Sequence, residues 1–558
     1  MRVRFPPRVH SILSVMNGIR RRLHIYLPII LALVFIAGMF LGAKLFINGY
    51  SSNKGNILFS VGFGKYDKLN DAINYIQKSY VDSISKKQLT EDAISSLLEK
   101  LDPHSVYVSA AEFNDANDPL IGSFEGIGVE FRIQRDTIAV NNVIAGGPSE
   151  GVGVLAGDRI VKVDGKNVAG IKITNNEVMK KLKGKRGTKV KIDVYRRGLK
   201  KLLEFTIYRD VIHTYSLDIA YMITNNIGYI KLNKFSATTH DEFINALQKL
   251  KAEGMKKLVL DLRYNGGGYL QAAEELADEF LSEGKLIVYT KGAHKPKSMV
   301  YATKKGSFEK DHLVILIDEF SASASEIVAG AIQDNDRATI IGRRSFGKGL
   351  VLEQVKLYDG SAIRLTVARY YTPTGRCIQR PYTNGTEEYY TQFYEQFLNG
   401  ELGTPDSSSF TDSLKFKTPK GKIVYGGGGI MPDVFVPFGK DENSKYFNLL
   451  LNKGLILQFA FDYADKNRQT IKNAYKNAQG FIKNFSVDGA LLNELLAFAE
   501  KNGVKKDEKE IALSGNNIKV YLKAYIGRNI FDNEGYYPVI QQVDKTLKKA
   551  IEVLDTLK

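Results

Sequence analysis

The chain has no tryptophan, one cysteine and seven histidines in 558 residues. A single cysteine excludes an internal disulfide. That thiol, Cys377 in GRCIQ, has no histidine pattern beside it, so it reads as a buried or idle thiol rather than a nucleophile. A lone thiol also suits an oxidising compartment, where spare thiols are a liability. The few histidines form no histidine–carboxylate set with zinc spacing, and no metal or other cofactor is expected. Acidic residues are the minority charge, 61 against 78 Lys and Arg, for a formal net charge of +17. Arg2, Arg4, Arg8, Arg20, Arg21 and Arg22 precede the first apolar run, and a second basic cluster lies within 180–201. No basic motif is interleaved with aromatics, so nucleic acid is not an expected partner. The positive charge reads as a topogenic arm and a solvated face.

Residues 25–43 are apolar and carry no charge before Lys44, which is long enough to span a bilayer core. This run reads as an anchor over 25–47 behind a cytoplasmic basic arm, 1–24. A cleaved signal peptide is the alternative. The long basic region and the lack of a clean small-residue cleavage site favour the anchor, and the lack of a following cysteine excludes a lipoprotein anchor. The expected topology is single-pass in the inner membrane. Everything after Lys44 would lie in the periplasm or cell exterior.

The chain is organised around 313–349, LVILIDEFSASASEIVAGAIQDNDRATIIGRRSFGKG. The apolar, β-branched run 313–317 predicts a buried strand, 326–333 a helix and 338–341 a second strand. A strand turning sharply into a helix exposes one side chain beside the unpaired N–H groups of the helix start. That geometry suits a serine whose attack creates an oxyanion.

SASASE followed by FGKG resembles the carboxyl-terminal processing peptidases, or tail-specific proteases, over roughly 66–437. The resemblance implies a Ser–Lys dyad serine endopeptidase, with Ser323 as nucleophile and Lys348 as base. It also implies a ClpP/crotonase-like α/β protease core. The DLRYNGGG segment matches the family's DLRxNxGG loop, whose amides help form the oxyanion hole; Gly268 and the Ala324 amide are the expected donors. Asp334 matches an acidic family position and reads as structural. DPHSVYVS also matches a family segment, with no chemical role assigned, and His104 in it reads as a packed or exposed loop residue. Where the family commonly has glutamine after the base lysine, this chain has Leu352; Gln354 lies one strand repeat further on, too far to substitute without a bulge.

Residues 124–209 look like a PDZ domain. GIGVEF matches the carboxylate-binding loop, giving Gly126, Ile127, Gly128 and Val129 as expected contacts to a peptide C-terminus. The bland alternative is a β-domain that only spaces or gates the protease. Two decoys fail. GRRSFGKG fits the start of a P-loop, but Gly349 replaces the Ser or Thr that holds Mg²⁺, and the alternating sequence that follows predicts a hairpin, not a helix. His312 is nearest Ser323 in sequence but lies at the far end of the predicted strand, roughly 17 Å away at about 3.3 Å per residue.

The expected architecture is a multidomain α/β protein with a helical region at 48–122, the PDZ domain at 123–209, the protease core at 210–440 and a helical extension at 441–558. Residues 385–413 read as a loop or lid-like insert. In the extension, 449–478, 490–502 and 539–557 carry amphipathic helical patterns. This tail fits a homo-oligomer contact, an adaptor-docking module or a cap on the core. The expected partners are protein or peptide substrates with free C-termini, and the membrane through the anchor. A catalytically silent PDZ scaffold is the competing functional class; hydrolysis of an unfolded protein separates the two.

Overall fold

The computed structural model describes residues 67–399, 414–437 and 444–557, together with 32, 34–39 and 41. It divides into two compact units, Met1–Val81 and Asp82–Lys558. In the first, the helix Lys68–Ser79 starts at Asp67, whose carboxylate accepts the Asn70 N–H. Most of the expected anchor, 25–47, lies outside the described residues. Among the described residues, no helix is long and apolar enough to cross a membrane.

The second unit is built on a six-stranded sheet. Its order is Leu217–Met222, Ile227–Leu232, Lys257–Asp261, His312–Ile317, Thr339–Gly342 and Val434–Phe435. The first pair is antiparallel and the remaining pairs are parallel. Parallel strands must be covered on both faces, which is why 258–262 and 313–317 read as continuous apolar runs. One face packs against the helices Thr239–Ala252, Leu270–Asp278 and Ala324–Asp334 through Phe243, Leu276 and Val328. The other face, Tyr229, Val259, Val314 and Leu316, is covered by Leu547, Ala550 and Leu554 of the helix Lys545–Thr556. The end of the tail is therefore a layer of the domain built on this sheet.

A second sheet joins Val106–Val108, Ala362–Tyr371, Leu286–Lys291 and Ser298–Tyr301, with Leu350–Lys356 also paired to Ala362–Tyr371. The expected hairpin after Gly349 is present. Two expectations need correction. The region expected to be helical, 48–122, contributes a strand to this sheet, because alternating VYV pairs with Ala362–Arg364. The segment expected as a loop from 385 contains the helix Thr386–Leu398, whose Tyr389 and Phe393 are buried at helical spacing; residues 400–413 lie outside the described residues.

The antiparallel sheet over residues 129–208 has Val129–Gln134 as an edge strand, with the helix Asn175–Leu182 beside its core. It docks on the long helix Leu455–Tyr475, where Phe461 is buried beneath Arg132 and Arg159 and Asp465 pairs with Arg159 at 3.1 Å. The expected single helix over 449–478 is two, Lys445–Asn452 and Leu455–Tyr475, broken where Gly454 turns left-handed. The helix Glu508–Ile540, which carries no expectation from the sequence over most of its length, is interrupted by non-helical Phe531 and Asp532.

Candidate active site

The strand His312–Ile317 ends in a turn whose side chains are tied down one by one. Asp318 Oδ1 accepts the N–H groups of Tyr264 and Phe320 at 3.0 and 3.1 Å. The Ser321 hydroxyl donates to the Leu262 carbonyl and the Ser325 hydroxyl to the Asn265 carbonyl, each at 2.9 Å. Of the three serines in SASAS, only Ser323 is not fully buried. It caps the helix Ala324–Asp334 at φ +55°, a left-handed backbone that a non-glycine residue adopts at a cost of about 1–3 kcal/mol.

The glycine loop closes against this turn. The Asn265 side chain accepts the Gly267 N–H at 2.9 Å and donates to the Leu232 carbonyl at 3.1 Å, while its own carbonyl accepts the Ala322 N–H at 3.0 Å. Gly267, at φ +97°, leaves no room for a side chain: a Cβ there would lie 2.8 Å from Ser323 Cβ and 2.9 Å from the Ala324 nitrogen. Gly268 presses instead on Phe235, whose carbonyl oxygen would be 1.8 Å from an added Cβ. The glycine against the serine is thus Gly267, but its N–H is already taken by Asn265. Ala324 is the first helical residue, so its N–H has no intrahelical acceptor.

The residue that joins the two halves of the site is Glu326, which motif reading passed over. It is fully buried. Its Oε2 accepts the backbone N–H groups of Ser323 and Lys348, at 2.8 and 2.9 Å. Its Oε1 accepts the Ser345 hydroxyl at 2.6 Å and the Gly347 N–H at 2.7 Å. Burial pushes its carboxyl up to about 7 although these four donors favour the carboxylate. Tyr370, also buried, donates its hydroxyl to the Lys348 carbonyl and places it 3.2 Å from the Ser323 carbonyl, so that one O–H bridges both halves. The S-x-x-E spacing of a capping box was the available signal for Glu326; nothing in the sequence singled out Tyr370.

Lys348 is half-buried, and burial pushes its ammonium below the ordinary value; Glu326 and Asp102 oppose this and Arg364 adds to it. The DPHS segment forms the neighbouring wall. Asp102 accepts the N–H groups of His104 and Ser105 and the Thr366 hydroxyl. His104 packs edge-on against Tyr389 and Tyr390, and burial, then Lys348, lowers its pKa to about 4. No hydrogen bond joins Ser323 Oγ to Lys348 Nζ among the described residues. The pairing of Leu350–Lys356 with Ala362–Tyr371 shifts register between Val351 and Leu352, and the extra residue, Val367, is on the partner strand. Leu352 and Gln354 thus keep the spacing of a regular strand, and Gln354 accepts from Arg364 Nε at 2.8 Å. Asp334 is paired with Arg376 at 2.7 Å in full burial. His312 lies at the other end of the strand from Ser323.

In the 129–208 domain, Gly126 ends one strand and Val129 begins the next, with Gly128 turning between them at φ +74°. A cavity of about 290 Å³ opens beside this loop, lined by Ile127, Gly128, Val129, Phe131, Met179 and Leu182 among others.

The fold and site define a class: a multidomain α/β serine peptidase carrying a PDZ domain. A family model described as peptidase family S41 matches residues 226–388, and a PDZ domain model matches 126–207. The activating protease CtpB N-terminal domain matches 43–111, and a family of unknown function (DUF8443) matches 446–532. A carboxy-terminal-processing protease of Bartonella bacilliformis is 38% identical over 350 residues, covering 62% of this chain and 79% of that relative. The carboxy-terminal processing protease CtpA of Bacillus subtilis is 33% identical over 362 residues, covering 65% and 76%. The solved photosystem II D1 C-terminal processing protease is 28% identical, with a TM-score of 0.33 over 56% of this chain and 89% of that one. The chain belongs to the carboxy-terminal processing protease family.

Proposed function

We propose that this chain is a Ser–Lys dyad endopeptidase that captures a substrate's C-terminus in its PDZ domain and cuts nearby. The observation that carries the reading is the Glu326 carboxylate, one oxygen of which holds the backbone N–H groups of Ser323 and Lys348 together. Ser323 Oγ attacks the peptide carbonyl carbon. Neutral Lys348 takes the hydroxyl proton, and the two side chains close their hydrogen bond when substrate excludes water. The oxyanion accepts the N–H groups of Ala324 and Gly268, the glycine whose amide is not spent on Asn265. Lys348 then gives its proton to the leaving amine, and water hydrolyses the acyl-enzyme by the reverse path. The parallel sheet with the nucleophile at its carboxyl edge supports a crotonase-like core.

The basic arm and the apolar run 25–43 support a single-pass protein of the cell envelope, with the protease outside the cytoplasm. Hydrolysis of an unfolded protein by the wild type, and none by Ser323→Ala, is the expected outcome. Full activity in Ser323→Ala would remove this serine from the chemistry. Faster cleavage of a free-acid peptide than of its C-terminal amide is expected if the PDZ domain reads the terminus.

A further inference from the structure

The cavity beside the PDZ loop is lined from two sides. Its apolar walls, Ile127, Phe131, Met179 and Leu182, belong to the PDZ domain, but Thr214 and Lys234 reach it from the protease core. Two lysines line it. Lys183 is already neutralised, because Asp115 and Asp118 pair with its ammonium at 2.7 and 2.8 Å. Lys234 is different. The residue is half-buried and its ammonium donates to the Thr214 hydroxyl at 2.8 Å, with no carboxylate among the described residues within ion-pair distance. Glu242 and Asp218 act on it from further off, and their carboxylates are already engaged by other donors, so a cation with no ion-pair partner beside an apolar cavity matches a ligand with one anionic group and one apolar side chain.

We propose that Lys234, a residue of the protease core, receives the terminal carboxylate of the substrate, so that the C-terminus is read jointly by the PDZ loop and the catalytic domain. The proposal rests on the reading of the PDZ domain as the C-terminus receptor and deepens it. A cavity of about 290 Å³ accommodates an aliphatic last side chain among Phe131, Met179 and Leu182, and the loop at Gly128, which lines the same cavity at φ +74°, is placed to offer its amides to the same carboxylate. The placement also connects recognition to catalysis. Lys234 immediately precedes Phe235, whose N–H donates to the Gly267 carbonyl at 2.9 Å and whose carbonyl accepts the Tyr269 N–H at 2.9 Å. A carboxylate held by Lys234 is thus one residue from Phe235, whose backbone bridges to Gly268 and fixes the glycine loop.

The test uses the full chain with Ser323→Ala to prevent turnover. The probe is a fluorescein-labelled decapeptide ending in Ala-Leu, as free acid and as C-terminal amide, with affinity read by anisotropy. Lys234→Met is expected to weaken the free acid at least tenfold and leave the amide unchanged, and Lys234→Arg to stay within about threefold of the parent. Lys234→Gln, which keeps a donor for Thr214, is run beside it and should behave like Lys234→Met, with thermal unfolding confirming that both fold. If the parent binds acid and amide equally, the PDZ reading falls and this inference with it. If the parent discriminates and Lys234→Met discriminates equally well, only the role of Lys234 falls. Equal weakening of acid and amide would reduce Lys234 to a packing role and also overturn the proposal.

Discussion

Replacing Glu326 with glutamine isolates its charge and acceptor capacity from its shape. The carboxylate serves four donors: two backbone N–H groups on Oε2, and one hydroxyl and one N–H on Oε1. Glutamine offers one acceptor oxygen and one NH₂. The oxygen belongs on the Oε2 side, because both groups there are N–H donors that cannot reverse roles. The NH₂ then faces Ser345, whose hydroxyl can rotate, and Gly347, whose N–H cannot. Ser345 already accepts the Ile430 N–H at 2.6 Å, so it has little spare capacity. One stranded buried N–H costs about 1–3 kcal/mol, and two charge-assisted bonds become neutral ones at roughly half the strength. A total near 3 kcal/mol corresponds to about a hundredfold in rate if the strain is relieved by moving Gly347 and the adjacent Lys348. Glu326→Gln should therefore lose about two orders of magnitude in kcat on a defined peptide, with KM little changed, since Glu326 lines no part of the PDZ cavity. Circular dichroism melts would show whether the fold is retained. A folded Glu326→Gln enzyme with kcat within threefold of wild type would refute the argument that this carboxylate aligns the two halves of the site.

The serines on either side of Ser323 should behave as fasteners: Ser321→Ala loses the bond to the Leu262 carbonyl and leaves the Asp318 N–H without its acceptor, and Ser325→Ala loses the bond to the Asn265 carbonyl. Each should cost about 1–3 kcal/mol of stability in urea unfolding, with Ser321→Ala the larger, and both should keep measurable proteolysis. Lys348→Arg keeps the charge but cannot deprotonate, so it should be as inactive as Lys348→Ala. In the wild type, kcat/KM should rise with pH through a base pKa below the ordinary 10.5, because burial disfavours the ammonium; a rise only at 10.5 or above would contradict that environment. Leu352→Gln should change turnover by less than about tenfold and raise the apparent pKa of the base. Gln354→Ala should matter little, since Gln354 is exposed and bound to Arg364; a dead but folded Gln354→Ala protein would place that side chain at the lysine.

What the sequence made legible follows from the reach of local patterns. Ser323 and Lys348 stand out as candidates because each sits in its own short motif, and the hairpin after Gly349 is legible because its alternation and Asp359–Gly360 turn are local. Glu326 was hidden by its position: an acidic residue in the first turn of a helix is ordinary there, favoured by the helix dipole, and its contacts to Gly347 and Lys348 are long-range. Tyr370 reads as one more aromatic residue in an alternating strand. The helix Thr386–Leu398 was missed for another reason. Tyr389, Phe393 and Phe397 recur at four-residue spacing, but Tyr390 and Tyr394 beside them blur the single-faced stripe that marks a helix.

The tail shows what a local pattern still implies at long range. Strands that are apolar on both faces demand two covering layers. The helices near the core strands in sequence supply one layer, so the second had to come from elsewhere in the chain. It comes from Lys545–Thr556, whose position is fixed at both ends. At its start, Asp544 caps the helix by accepting the Leu547 N–H and pairs with Arg263 at 2.7 Å. Arg263 also holds Asp261 at 2.6 Å, and although burial opposes the charge, Arg263 and Lys231 keep the Asp261 carboxyl well below the usual carboxylate range. At its end, the Lys257 ammonium donates to the carbonyls of Leu554 and Leu557, each at 2.7 Å. Asp261 and Arg263 open the loop that carries Gly267 and Gly268. The ion pair that seats the last helix therefore also seats the glycine loop that closes against Ser323. A helix that covers the sheet and bonds to the base of that loop is part of the catalytic domain's framework, even though it lies outside the family model that matches the core.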